Sequence, residues 1–392
     1  MHRILFVYHV STVGGGSYCL LNLLKVINRS VFEPIVMLPQ KGPLCDEITK
    51  LGIEIVYYPS LALYPYNKTL LNFKTIKRLW KVNKGCKGFS TVLKTIHPEI
   101  VYFNSMMLFP YLGIAKECGV KTVLHIREHW PLEEHKFQLG RARKIVYESA
   151  DKLIAINRYS SSIFPEKEST IVYDWIDMEA RRGGPKVEFF LHKDTTPKKI
   201  YLFTGGMQKI KGTIEVLQVF SDSIKGDDRR LIVLGVESKL EWRGLKGQLK
   251  RILSRLGYKT FSAKVVKLCE KDERIICAPA IYDITDLMEG VDGLISFFTI
   301  PHANLALAES IILQLPAIAA KSDEALEYSD EGNLALLFKL GDKSAFRDAW
   351  MKLDTGDCEL NNKLAIESVR VAEKFNPKRN SETFNKVLSE LL

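Results

Sequence analysis

The 392-residue chain is 46% hydrophobic and 26% charged, an ordinary globular composition with length enough for two domains. Its net charge of +10 and pI near 9.0 point to an anionic partner, whether nucleic acid, a phosphate-rich substrate or an acidic membrane surface. The opening apolar run, Ile4 to Val7, is too short for a signal-peptide core. No apolar stretch approaches the roughly 20 residues of a membrane span, so the expectation is a cytoplasmic protein, soluble or peripheral. Seven cysteines, at 19, 45, 86, 118, 269, 277 and 358, form no C-x-x-C pair and read as reduced thiols of a cytosolic protein.

In chain order, Ile4 to Tyr8 predicts a strand, Gly14 to Gly16 a turn, and Leu20, Leu21, Leu23, Leu24 and Val26 a helix. Further strands are predicted at Val36 to Leu38, Ile53 to Tyr57, Ile100 to Phe103, Thr122 to Ile126 and Leu153 to Ile156. Strands alternating with helices predict a parallel sheet covered on both faces. The pattern breaks at Arg181 to Pro197, rich in Gly, Pro and Thr, which reads as a linker. It resumes with strands at Lys199 to Phe203, Leu231 to Leu234, Ile275 to Cys277, Gly293 to Phe298 and Ala317 to Ala319. Two Rossmann-like units in tandem are expected.

Three loops carry chemistry. Gly15 and Gly16, with Gly14, lie where the first strand meets the first helix, so backbone N–H groups can approach a phosphate without a Cβ in the way. The spacing is neither G-x-G-x-x-G nor a Walker sequence, which argues against NAD and ATP. The second unit opens similarly, Gly205 and Gly206 leading to Lys211 and Gly212. A lysine at that helix mouth opposes the helix dipole but suits a diphosphate. The third loop, Thr299 to Asn304, joins a strand to a strongly apolar helix holding Glu309. A carboxylate there needs a partner, either a ribose diol or an internal lysine.

With these loops in place, the sequence resembles the retaining GT-B glycosyltransferases, the large family that includes sucrose synthases and bacterial phosphatidylinositol mannosyltransferases. The matching stretches are Ile4 to Asn22, Ala150 to Asn157, Ile171 to Asp177 (IVYDWID), Phe203 to Gly212 and Asp286 to Ala320. The resemblance implies an α/β GT-B fold with two Rossmann-like domains facing across a cleft. Residues 1–182 would bind the acceptor and 183–376 the nucleotide sugar, with a final helix, 377–392, crossing back to the first domain. Lys211 would bind the donor diphosphate, Glu309 the ribose, and the backbone of His302, Ala303, Asn304 and Leu305 the donor sugar and phosphate. The family's retention needs no protein nucleophile, and no metal or other cofactor is expected.

Three positions depart from the family. A glutamate usual eight residues before Glu309 is Pro301, a loop glycine is Asn304, and an arginine usual after the first glycine of the second phosphate loop is Gly206. In the first domain, TVLHIREHW (122–130) offers His125, Arg127, Glu128 and His129 near the reacting sugar. Period-two geometry puts 125, 127 and 129 on one face if the strand persists. Between Lys74 and Lys94 lysines interleave with Ile76, Leu79, Trp80 and Phe89 and no acid intervenes. A second basic stretch, Lys246 to Lys267, carries Arg251, Arg255, Lys259 and Lys264. The first stretch reads either as a solvated helix face or as a device for docking on an anionic leaflet. The expected activity is transfer of a hexose or N-acetylhexosamine from a nucleotide diphosphate sugar to a glycan or lipid-linked acceptor. It would serve surface polysaccharide or glycoconjugate assembly. A catalytically silent relative and a GT-B-fold sugar epimerase are the alternatives. Nucleic acid is not an expected partner, because no recognised module accompanies the charge.

Overall fold

The computed structural model describes residues 1–66, 72–130, 135–191, 196–236 and 260–392. Of the second basic stretch, Lys246, Arg251, Arg255 and Lys259 fall outside the described residues. The chain divides into two units, Met1–Trp175 with Pro377–Leu392, and Ile176–Asn376.

In the first unit the apolar runs become seven parallel strands: β1 (His2–Val7), β2 (Phe32–Leu38), β3 (Glu54–Tyr57), β4 (Ile100–Phe103), β5 (Lys121–Ile126), β6 (Lys152–Ala155) and β7 (Ser169–Ile171). Their order is β3-β2-β1-β4-β5-β6-β7. Alternate residues feed two cores. Leu5, Val7, Val101, Phe103, Leu124 and Ile126 pack on one face, and Ile4, Phe6, Ile100, Tyr102 and Val123 on the other. This double burial is why the strands read as continuous apolar runs. Helices α1 (Gly15–Val26) and α2 (Pro43–Lys50) cover the second face with Leu20, Leu21, Leu23 and Leu24 and with Leu44 and Ile48. The last helix, Pro377–Ser389, adds Phe384, Val387 and Leu388 to the same core. Helix α3 (Phe73–Ile96) is capped by Asn72, whose side chain accepts from the Lys74 N–H at 2.9 Å, and serves the first face through Val82, Phe89 and Leu93.

The second unit holds a six-stranded parallel sheet of order β10-β9-β8-β11-β12-β13. Its strands are β8 (Lys199–Phe203), β9 (Arg229–Leu234), β10 (Ile275–Ala278), β11 (Gly293–Ser296), β12 (Ala317–Ala320) and β13 (Leu336–Phe338). The helix Thr213–Ser223 packs Val216, Leu217 and Phe220 with Tyr201, Phe203, Ile295 and Trp350. In both sheets the strand order reverses beside the first strand, between β1 and β4 and between β8 and β11. The loops leaving such a reversal form the crevice where open α/β sheets bind ligands.

Three expectations differ from what is seen. β11 stops at Ser296, because Phe297 and Phe298 leave the ladder to pack under the Lys211–Gly212 turn. β5 stops at Ile126, so alternation does not carry Arg127 and His129 onto the face of His125. The described part of the linker is docked rather than free. The Arg182 guanidinium bonds Asp286 at 3.0 Å and Glu289 at 2.8 and 2.6 Å, and the Gly183 N–H donates to Asp286 at 2.9 Å.

Candidate functional site

The second unit brings together the second and third of the three loops read from the sequence. After β8, the chain turns through Gly205 and Gly206 into a short 3-10 turn, Lys209–Lys211, closed by Gly212 at φ +62°. Only glycine suits Gly212, since a Cβ there would lie 2.2 Å from the Phe297 ring and the left-handed backbone penalises other residues. The Thr213 hydroxyl donates to the Gly206 carbonyl at 2.7 Å, and the Thr299 N–H to the Ile210 carbonyl at 2.8 Å. These bonds hold the Lys211 loop and the third loop side by side.

Lys211 sits half-buried at that seam, its Nζ 3.9 Å from the centre of the Phe298 ring. Burial pulls its pKa down to about 8, opposed by the charge of Glu309. The ring face offers cation–π attraction, and among the described residues no carboxylate lies within salt-bridge distance of Lys211, Glu309 being paired with Arg181. An anion arriving there meets a cation whose charge is costly to keep and is stabilised by being matched.

The third loop ends at Asn304, whose buried side-chain oxygen accepts from the Ser296 hydroxyl at 2.6 Å and from the Leu307 N–H at 3.3 Å. It therefore fixes the start of the helix Leu305–Ile312. His302 and Ala303 are half-buried, and the His302 ring lies edge-on to Phe298, 5.1 Å between centres. Phe298, His302 and Asn304 line a hollow with Lys321 and Ser322. Leu305 is half-buried at the first turn of the helix.

Glu309 is buried in the middle of that apolar helix. Its partner within the protein is an arginine, where the sequence offered an internal lysine. Arg181, from the segment read as a linker, donates Nη1 to Glu309 and Nε to the Tyr282 carbonyl at 3.1 Å, with its guanidinium over the Tyr282 ring at 5.1 Å. Arg181 takes one carboxylate oxygen, Oε1. Nothing in the pattern around Arg181 marked it, because its partner lies 128 positions away.

In the first unit, an added Cβ on Gly14 or Gly15 meets nothing within 4 Å among the described residues, whereas on Gly16 it would lie 2.9 Å from the Tyr8 hydroxyl. Packing therefore explains Gly16, and the space over Gly14 and Gly15 is open. Arg127 forms a two-pronged bond with Asp174, at 2.8 and 2.6 Å, with both side chains nearly buried. Burial opposes the Arg127 charge and Asp174 sustains it. Glu128 accepts from the Ser105 hydroxyl, the Met106 N–H at 2.8 Å and the Arg127 N–H at 3.1 Å. Burial still raises its pKa above the usual carboxylate value, against those hydrogen bonds.

His125 is 1% exposed, with Nδ1 bonded to the Tyr102 hydroxyl at 2.7 Å. Burial and the Arg127 charge keep its ring neutral. His129 stacks on Tyr159, 3.9 Å between ring centres. Among the described residues, polar groups at the carboxyl ends of three adjacent strands have no partner: His9 Nδ1 after β1, both amide atoms of Asn104 after β4, and His125 Nε2 in β5. Buried polar atoms are rarely left so, and sequence reasoning missed Asn104 because an asparagine after a strand is a common turn residue. Among the described residues no group of three or more His, Cys, Asp or Glu side chains is placed to hold a metal ion.

No protein-family model matches the sequence. Among curated proteins, the UDP-N-acetylglucosamine N-acetylmuramyl-(pentapeptide) pyrophosphoryl-undecaprenol N-acetylglucosamine transferase of Desulforamulus reducens is 23% identical over 284 residues. The match covers 71% of this chain and 68% of that protein. Among solved structures, Anabaena HepE in complex with UDP and glucose superposes with a TM-score of 0.72 at 15% identity, covering 99% of this chain and 100% of that one. Sucrose-phosphate synthase from Thermosynechococcus elongatus gives a TM-score of 0.68 at 11% identity, covering 100% and 99%. Together with the two parallel sheets and their matching strand reversals, these full-length likenesses establish that the chain has the two-domain α/β GT-B fold.

Proposed function

We propose that the chain is a retaining glycosyltransferase that moves a hexose or N-acetylhexosamine from a uridine diphosphate sugar to a glycan or lipid-linked acceptor. The observation that carries this reading is the arrangement in the second unit. Lys211, half-buried and unmatched among the described residues, shares a seam with the third loop, and the Glu309 charge opposes the burial that lowers its pKa. Lys211 suits the donor diphosphate, and the Glu309 carboxylate, one oxygen held by Arg181, suits a ribose hydroxyl. Uridine is favoured because HepE was solved with UDP and the Desulforamulus enzyme is named for a UDP sugar.

In this reading the first unit binds the acceptor. The unpartnered atoms of His9, Asn104 and His125 offer neutral donors and acceptors suited to hydroxyl groups, while Arg127 and Glu128 are held rigidly beside them. Catalysis rests on positioning and on stabilising charge at the departing diphosphate. The leaving phosphate oxygen helps to deprotonate the acceptor, and neither a protein nucleophile nor a metal is used. The pathway is surface polysaccharide or glycolipid assembly at the inner face of a membrane.

The test is thermal-shift and calorimetric screening of the full chain with UDP, GDP and ADP sugars, in the presence of a chelator. A stabilising UDP sugar followed by slow donor hydrolysis with the anomeric configuration kept is expected. No shift with any nucleotide sugar would overturn the reading. Binding without hydrolysis or transfer would instead favour a catalytically silent sugar-nucleotide binder, for which Pro301 and Gly206 in place of charged residues speak.

A further inference from the structure

Helix α3 has one face that the fold does not use. Its packed face buries Thr75, Val82, Gly85, Phe89, Leu93 and Ile96. At 100° per residue, positions 73, 76, 80, 84 and 87 fall within an arc of about 80° on the opposite side. That outward arc holds three large apolar side chains, Phe73 at 79%, Ile76 at 53% and Trp80 at 63% exposure. It also holds Lys84 and Lys87, with Lys77 just beyond its edge, all exposed. The helix contains no acidic residue in its 24 positions. Lys84 Nζ lies 5.9 Å from the centre of the Trp80 ring, so charge and apolar surface share one strip.

Scattered exposed apolar residues need no explanation, but three in register opposite a well-packed face, fenced by lysines, are a built surface. Packing within the first unit is already supplied by the other side of the helix. Nucleic acid would use the lysines and leave Phe73 and Ile76 in water. A bilayer interface uses both, with the rings and aliphatic chain among acyl groups and the ammonium groups at phosphate level.

We propose that α3 is a membrane-docking surface: Phe73, Ile76 and Trp80 enter an anionic bilayer interface while Lys77, Lys84 and Lys87 engage its headgroups. The inference deepens the reading above by naming the surface that brings the chain to a lipid-linked acceptor. It rests on that reading only for its purpose, not for its physics. Docking needs no donor, no acceptor and no catalysis.

The experiment is co-sedimentation of the full chain with vesicles of phosphatidylcholine alone and of phosphatidylcholine with about one third phosphatidylglycerol, at low and high salt. Trp emission is followed with brominated lipid as quencher. Binding to the anionic vesicles, weakened by salt, and quenching that disappears in Trp80→Phe are expected. The triple variant Phe73→Ser, Ile76→Ser, Trp80→Ser should bind at least tenfold less at either salt. Lys77→Glu, Lys84→Glu, Lys87→Glu should abolish the preference for anionic lipid. All six positions are exposed, so circular dichroism and UDP affinity should match the parent. Equal binding by the triple apolar variant, no binding of the parent to anionic vesicles, or binding only to DNA would each overturn the proposal. Loss of UDP binding in the parent would count against the transferase reading and leave the docking surface standing.

Discussion

Lys211 is held where burial penalises its charge, and on the proposed reading that makes its hold on a diphosphate pH-dependent. Its pKa is lowered to about 8 because burial penalises the ammonium form, with Glu309 opposing the shift. Only the protonated form attracts a diphosphate. Affinity for UDP should therefore be fully present below pH 8 and fall as pH rises through it, approaching tenfold per unit where deprotonation is complete. Calorimetric titration with UDP between pH 6.5 and 9.5 measures this. Lys211→Ala should lose a charge-assisted bond of about 1.5–3 kcal/mol, or roughly ten- to 150-fold in Kd at pH 7, and should show a flat profile over the same range. Unchanged affinity in the variant would remove Lys211 from the site. The residue types of this site were legible because glycine, lysine and a stranded glutamate stand out against an apolar background. Their partners were not. Arg181 pairs with Glu309 and Asp174 with Arg127 across long sequence separations, and charge pairing between distant residues leaves no local period to read.

Elements were legible where burial imposes a pattern and illegible where an edge or a turn decides. The central strands are apolar on both faces and were found nearly in full. The three-residue edge strand β7 was missed because its half-buried Ser, Thr and Ile carry no continuous apolar signal, and β13 was missed although it lies in the apolar run Leu334 to Phe338. Phe297 and Phe298 extended the apparent strand β11, since hydrophobicity alone cannot tell a ladder residue from one that turns to support a neighbouring loop. That support is testable at Gly212. Its φ of +62° and the Phe297 ring 2.2 Å from an added Cβ mean that Gly212→Ala takes on left-handed strain of about 1–2 kcal/mol. It must also displace a ring packed against Phe338 and Phe346 at 5.2 and 5.0 Å. A loss of roughly 3 kcal/mol in urea unfolding, together with weaker UDP binding through the shifted Lys211 loop, is expected. A variant as stable as the parent would mean that the turn relaxes without Phe297 and does not position Lys211.

For the whole molecule, the decisive feature is that the chain's last segment completes the core of its first unit. Phe384 and Leu388 are fully buried and Val387 nearly so, in one cluster with Ile4, Phe6, Leu20 and Tyr102. The Phe384 and Tyr102 rings meet edge to face with centres 5.8 Å apart. Asn385 adds two bonds to the end of α1, its amide donating to the Val26 carbonyl and accepting from the Asn28 N–H, each at 2.9 Å. Burying three such side chains contributes on the order of 5–8 kcal/mol, comparable to the entire stability of a typical domain. A chain ending at Asn376 keeps every strand of both sheets yet uncovers the face of the first sheet beneath α1. It should melt in two steps, the first unit unfolding well below the parent temperature while the second retains UDP binding. Calorimetric scanning with and without UDP separates the steps, because ligand raises the melting of only the unit that binds it. A truncated chain with a single transition at the parent temperature would show that the helix is dispensable to the core. A lower transition that UDP shifts, with an upper one that it does not, would place the nucleotide in the first unit instead.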